Sequence, residues 1–206
     1  MNGTEPDPLR SAVDAAASFF RAIDARQWES AAQCVDPDAA ERFREAALRV
    51  LIGWATIRSM RSRVSDGPMG IALSRTLDPA LLDRFAATPL RGVAGVSTLG
   101  DLAGLTPTQF VARSLEHREA EWTDRDAPAD GPTRDVLGAT SEGESYVQVL
   151  YRPNDPEVEY ADPLPVLVLR MRHRDGHWLV DLEHTDHALV SPMLDDDDDE
   201  MPTQQA

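Results

Sequence analysis

Residues 166–184 read VLVLRMRHRDGHWLVDLEH, and this stretch decides the fold class. Two runs of alternating residues are separated by Asp175-Gly176, a strong hairpin signal because its tight turn needs positive φ at both positions. A two-residue turn also fixes the register of the two strands. The predicted opposed pairs are Arg174 with His177, His173 with Trp178, Arg172 with Leu179, Met171 with Val180, Arg170 with Asp181, Leu169 with Leu182, and Leu167 with His184.

This register sorts the hairpin into two faces, because successive side chains of a strand point to opposite sides. The apolar face carries Leu167, Leu169, Met171, Trp178, Val180 and Leu182, with His173 and His184 at its ends. The charged face carries Arg170, Arg172, Arg174, His177 and Asp181. One apolar and one charged face are typical of an antiparallel sheet with a single solvated side.

The N-terminal third of the chain predicts three helices. Apolar residues recur at helical spacing from Pro8, which predicts an amphipathic helix. The segment WESAAQCVD (28–36) predicts a short second helix. Asp38 is the predicted cap of a long third helix that ends near Arg63. The four tryptophans fall in amphipathic segments, and we expect them in the core.

The middle of the chain predicts a mostly helical insertion over residues 65–135. Its clearest helix begins at Thr106, followed by proline and a capping-box glutamine. Residues 123–135 predict a loop, after which the period changes to that of a strand in ESYVQVLYR (144–152). The predicted fold class is therefore α+β, with helices toward the N-terminus and an antiparallel sheet toward the C-terminus. The residues that should join the apolar face are Val147, Val149 and Tyr151.

Composition and charge exclude several functions. The formal net charge is −16, and all 20 basic residues are arginine. Nucleic-acid binding needs cations that neutralise phosphates, and anionic membranes attract basic segments, so neither partner is expected. The single cysteine, Cys34, fits a reducing compartment, and we expect a cytoplasmic protein. Residues 195–206 begin with six acids, which predicts a disordered acidic tail and allows a basic protein partner for it.

Two segments together resemble a known superfamily. AASFFRAIDARQWESAAQCVDP (16–37) followed by RMRHRDGHWLVDLE (170–183) is similar to the nuclear transport factor 2-like, or ketosteroid-isomerase-like, superfamily. The resemblance covers roughly residues 10–64 and 140–184 and implies a cone-like α+β fold, in which N-terminal helices pack on a curved antiparallel sheet that wraps a long helix. We expect a single domain over residues 1–194, which ends before the acidic run. The resemblance also implies a cavity, and a homodimer through the sheet. The proton-shuttling aspartate and oxyanion-binding tyrosine of the isomerases have no counterpart that we can place in this chain, so the catalytic residues stay unassigned.

The positions of the hairpin histidines favour a ligand pocket over a metal site. His173 and His177 point to opposite faces, so they cannot share one ion, and zinc needs three or four converging ligands; we expect no metal. Tyr151 and His184 should share one end of the apolar face, about 10 Å apart. The candidate pocket residues are Tyr151, His184, Trp178 and His173. The alternative is that Tyr151 and His184 only cap the edge of the core.

The residues leave three functions open. The first is a non-catalytic domain that binds a small ligand, apolar or of mixed polarity, without a cofactor, since no cofactor-binding motif occurs in the chain. The second is a small isomerase- or dehydratase-type enzyme that uses the same cavity. The third is an acidic protein-interaction module. A buried, perturbed acid inside the cone would favour the enzyme, and an exposed apolar patch on the outer sheet would favour the interaction module.

Overall fold

A computed structural model of the chain describes residues 7–61, 76–90, 93–123, 134–153 and 166–182. The described residues form an α+β fold of helices and a four-stranded antiparallel sheet. The helices are α1 (Pro8–Asp24), α2 (Trp28–Gln33), α3 (Pro37–Arg61), α4 (Pro79–Phe85), α5 (Leu99–Ala103) and α6 (Pro107–Thr123). The strands are β1 (Arg134–Ser141), β2 (Tyr146–Pro153), β3 (Leu167–Arg174) and β4 (His177–Val180). The predicted fold class is confirmed at this level.

A polar residue followed by proline begins several of these helices. Proline suits the first helical position because it has no N–H to leave unpaired, and the side chain before it can cap the next free N–H groups. Asp36 does this for α3, where its Oδ1 accepts the backbone N–H groups of Asp38 (3.0 Å) and Ala39 (3.1 Å). The prediction that Asp38 caps this helix is therefore wrong by two residues. Asp7, Asp78 and Thr106 cap α1, α4 and α6 in the same way.

The sheet has the order β1-β2-β3-β4, and the hairpin of β3 and β4 at one edge has the predicted register. Asp175 and Gly176 both adopt positive φ (51° and 81°), as the two-residue turn requires. The four pairs nearest the turn are confirmed: Arg174 with His177, His173 with Trp178, Arg172 with Leu179, and Met171 with Val180. Between β2 and β3, Tyr151 lies opposite Leu167 at the start of β3.

Two features of the sheet differ from the sequence prediction. Strand β1 was not predicted, and it carries an irregularity at which the register with β2 shifts between Val136 and Gly138. An extra residue in one strand breaks the period of two, so alternation cannot reveal such a strand. Strand β4 ends at Val180 rather than near His184. Residues 183–206, which include His184 and the acidic run, lie outside the described residues, so the domain boundary at residue 194 stays a prediction.

Helix α1 packs across one side of the sheet, where it contacts all four strands. We call this side the inner face and the opposite side the outer face. On the inner face Phe20 contacts Tyr151, with ring centroids 4.8 Å apart, and Val149 and Met171 are fully buried. The connection between α2 and α3 runs beside β4, because the Val180 N–H donates to the Cys34 carbonyl and the Asp36 N–H to the Val180 carbonyl.

A second helical layer forms where α6 packs against α2 and α3. Phe43 and Phe110 meet there edge to face, with centroids 5.9 Å apart. Trp54 of α3 lies outside this core, with 47% of its surface exposed, so the expectation that every tryptophan is a core residue is wrong for Trp54. Among the described helices, none is both long enough and apolar enough to span a membrane.

Candidate functional site

The inner face is closed along most of its length and more open at one end. Val147, Val149 and Met171 are buried beneath α1. The next pair along the strands is Tyr151 and Leu167; Tyr151 is half-buried and Leu167 is 38% exposed. Helix α1 still reaches the end of β1 beyond this pair, where Asp24 lies 3.5 Å from Arg134 and the Arg134 guanidinium lies 5.8 Å from the Phe20 ring. Apolar surface and a phenol therefore lie side by side at the edge of the core.

The candidate pocket residues lie at two ends of the sheet. Tyr151 is opposite Leu167 at the start of β3. His173 and Trp178 are neighbours at the turn end of the hairpin, with ring centroids 4.9 Å apart. Six residues of strand separate Leu167 from His173, or about 20 Å. The structure thus brings His173 and Trp178 together and places Tyr151 far from both. His184 lies outside the described residues.

A cluster of charged side chains forms on the outer face, where α3 begins beside β3 and β4. Its centre is Asp36, which is completely buried. Arg172 lies 3.3 Å from Asp36 Oδ1, and Arg174 lies 3.4 Å from Oδ2. The same carboxylate caps α3. A buried carboxylate is stable only when its oxygens are paired, and both oxygens of Asp36 have partners.

Asp181 is the second buried carboxylate of this cluster. Its oxygens lie 2.9 Å from Arg42 and 3.3 Å from Arg170, so the predicted pairing of Arg170 with Asp181 is confirmed. Burial raises the pKa of the Asp181 carboxyl, and the two guanidinium groups counteract this only in part. Arg170 is itself held in place by Glu142 (3.0 Å) and by the ring of Tyr146, 4.1 Å away.

This cluster links distant parts of the chain, and its contacts suit it to stabilising the fold rather than to transferring protons. It connects the start of α3 with β3, β4 and the loop before β2 through ion pairs. A general base needs an oxygen that can reach a substrate proton, whereas the oxygens of Asp36 and Asp181 are already engaged by guanidinium groups. The sequence reasoning missed Asp36 and Arg42. The one local signal was the position of Asp36 directly before Pro37, which marks a helix cap.

The outer face also carries exposed apolar side chains next to this cluster. Val168 of β3 is 52% exposed and lies opposite Leu150 of β2, which is half-buried. Leu137 is also 49% exposed, but it has no partner in the register of β1 with β2 and so is not assigned to either face. We call Leu150 and Val168 the outer apolar row.

The lone thiol and the fifth histidine are not part of either region. Cys34 is half-buried, its Sγ donates to the Ser30 carbonyl (3.4 Å), and burial raises the pKa of the thiol. A raised pKa makes it a poor nucleophile at neutral pH. His117 is buried on α6, a position the sequence reasoning did not single out. Within the described parts of the chain, no three His, Cys, Asp or Glu side chains converge as metal ligands would.

Comparisons with protein-family models, with curated proteins and with solved structures find no match to this chain.

Proposed function

We propose that this protein is a non-catalytic small-ligand-binding domain that resembles the nuclear transport factor 2-like superfamily and holds its ligand at the inner-face end beside Tyr151 and Leu167. One observation carries the proposal. Burial on the inner face falls from complete at Val149 and Met171 to partial at Tyr151 and Leu167. Ligand pockets are mostly apolar with a few placed polar groups, and this end of the sheet offers both.

The chemistry of these side chains limits the ligand. Leu167 and the Phe20–Tyr151 ring pair offer apolar contact, and the phenol of Tyr151 can donate or accept a hydrogen bond. A small molecule with an apolar body and one polar group fits this combination. His184 belongs to the proposal as the second polar wall, about two strand spacings or 10 Å from Tyr151.

The alternative of an isomerase- or dehydratase-type enzyme is weaker. Asp181 is the buried carboxyl whose pKa is raised, and a perturbed acid in a cleft is a common mark of an active site. Its oxygens, however, bind Arg42 and Arg170 on the outer face. A ligand beside Tyr151 lies on the other side of the sheet, out of reach of this carboxyl.

Adjacent residues of β3 give a matched test of the ligand site. Leu167 faces the inner side and Val168 the outer side, and both are partly exposed. The probe is 1-anilinonaphthalene-8-sulfonate, a dye that fluoresces on apolar surface. Leu167→Gln should lower dye affinity severalfold, Tyr151→Phe should lower it while keeping the ring that packs on Phe20, and Val168→Gln should leave it unaltered. Equal loss in Leu167→Gln and Val168→Gln would mean that the dye does not report an inner-face site.

An interaction module is a second candidate, favoured by the outer apolar row. An exposed apolar patch with a polar rim is a mark of a protein contact surface. We include in the proposal the homodimer through the sheet and a basic partner for residues 195–206, whose six acids are the most concentrated charge in the chain. A reducing, cytoplasmic location is likewise proposed, from the single cysteine.

A further inference from the structure

We infer that residues 189–200 of this chain cover its own outer apolar row and place their acidic side chains at Arg152. These residues lie beyond the last described one, and they read LVSPMLDDDDDE. Four large apolar residues are thus followed directly by six acids. The outer face offers the complementary order of side chains, with exposed aliphatic groups next to an arginine. Exposed apolar surface with a polar border is a mark of a contact site.

The apolar part of this surface is accessible from the outer side of the sheet. Val168 is 52% exposed, and Val166, two residues earlier in the chain, is 47% exposed. Leu150 lies opposite Val168 and is half-buried. Gly138 pairs with Leu150 from the other side, and a Cβ added at Gly138 would meet no atom within 4 Å beyond its chain neighbours. A covering chain therefore finds room on the outer apolar row.

Arg152 adds a cation without an acidic partner at the end of this surface. It is two residues after Leu150 on the outer face of β2, and it lies opposite Asp135 of β1. Among the described residues no carboxylate forms an ion pair with Arg152, and its Nε is buried without a hydrogen-bond partner. A buried polar group is stabilised by a partner, and a carboxylate is a strong partner for a guanidinium. The arginines of β3 on the same face already bind carboxylates; they are Arg170, Arg172 and Arg174.

The described chain ends close to this surface. The Asp181 N–H donates to the Arg170 carbonyl (2.9 Å), so the chain still follows β3 there and runs toward the end of the sheet that holds Arg152. From Leu182, the last described residue, Arg152 is about two strand spacings across and about three residues along the strands, or roughly 14 Å. Asp195 is thirteen residues beyond Leu182, and such a length of chain can span up to about 43 Å. The acidic run can therefore reach Arg152.

Attachment to the same chain favours this segment over a separate anionic partner. The chain carries a formal charge of −16, so it repels a separate acidic chain at long range. A tethered segment instead meets the surface at an effective concentration in the millimolar range, so that weak contacts are still occupied. A basic partner that binds the acids of residues 195–200 would compete with Arg152 and uncover the outer apolar row. This regulation rests on the interaction surface of the proposed function, whereas the cover itself needs only the outer face.

Disulfide trapping in the full chain tests this contact, with Cys34→Ala as the background that removes the native thiol. Under mild oxidation, Val168→Cys combined with Met193→Cys should form an intramolecular disulfide about tenfold faster than Leu167→Cys combined with Met193→Cys, because docking raises the local concentration of one thiol at the other. Leu167 is the matched control, since it is partly exposed on the inner face one position away. Adding Arg152→Gln should slow the Val168 pair severalfold. Mass spectrometry of the oxidised monomer measures the rates.

Other outcomes would overturn the inference. Equal rates for the Val168 and Leu167 pairs would refute it, because an undocked segment reaches both faces alike. A Val168 pair that is indifferent to Arg152→Gln would refute the place given to the acids. Disulfides that form only between two chains would refute the cover and indicate contact with another chain instead. Circular dichroism of each variant checks that it is folded. Dye binding at Leu167 reports the opposite face, so its failure would refute the ligand site and leave the cover standing.

Discussion

Replacing Asp36 should test the buried cluster that connects α3 to the sheet. Its carboxylate has two separable roles: it caps α3 through two backbone N–H groups, and it binds Arg172 and Arg174. Asp36→Ala removes both roles. Asp36→Asn keeps a good cap, because asparagine caps helices about as well as aspartate, but removes the negative charge. The difference between the two variants therefore isolates the cap.

The expected magnitudes follow from these contacts. Losing the cap costs about 1 kcal/mol. Losing the two ion pairs costs about 0.5–1 kcal/mol each, because both arginines are partly exposed and regain water. Asp36→Ala should thus lower the free energy of unfolding by about 2–3 kcal/mol, and Asp36→Asn by about 1–2 kcal/mol. For a domain of this size the alanine variant should melt about 4–12 °C lower.

Urea unfolding followed by circular dichroism measures both variants, with the slope against denaturant checked for constancy. Arg42→Gln, which removes a more exposed partner of Asp181, is the control and should cost less than about 1 kcal/mol. Equal costs for Asp36→Ala and Asp36→Asn would refute the cap. An alanine variant as stable as the wild type would refute the whole cluster.

Three further predictions concern other parts of the fold. The Thr98 hydroxyl and nearby backbone N–H groups lower the pKa of the Asp101 carboxyl. Its stabilising effect is therefore present above the unfolded pKa of about 3.9 and is lost as the pH falls through the lowered value. In urea unfolding, the loss of unfolding free energy caused by Asp101→Ala should become smaller below about pH 4. Trp54→Ala should cost less than about 1 kcal/mol because Trp54 is exposed, whereas Phe43→Ala should cost about 3–5 kcal/mol in the same assay because Phe43 is buried. Cys34 should react with a thiol reagent at pH 7 more slowly than free cysteine, since burial raises its pKa; faster reaction would contradict this.

The sequence predicted the parts of the sheet that depend on local geometry. Asp175-Gly176 determines its own turn, and the turn determines the pairing of Arg170 with Asp181. Burial of Val149 followed from simple alternation. These predictions needed no knowledge of distant residues.

The parts that were missed depend on irregular or long-range features. The register shift between Val136 and Gly138 interrupts the alternation of inward and outward residues, so alternation could not reveal β1 as a strand. Arg42 reaches Asp181 across 139 positions of sequence, and no local pattern indicates such a contact. Trp54 is exposed although Leu51 and Ala55 beside it on α3 are buried, so its place in an amphipathic segment overestimated its burial.

We propose that the inner face of the sheet at Leu167 binds a small ligand, whereas the outer face at Val168 contacts another protein chain. Methyl NMR of the wild-type protein with labelled leucine and valine tests it directly, with the same dye as titrant. We expect the methyl signals of Leu167 and Leu169 to shift on adding dye, and the signals of Val168 and Leu150 to shift on raising the protein concentration instead. Dye-dependent shifts confined to Val168 and Leu150, with Leu167 unaffected, would contradict this assignment.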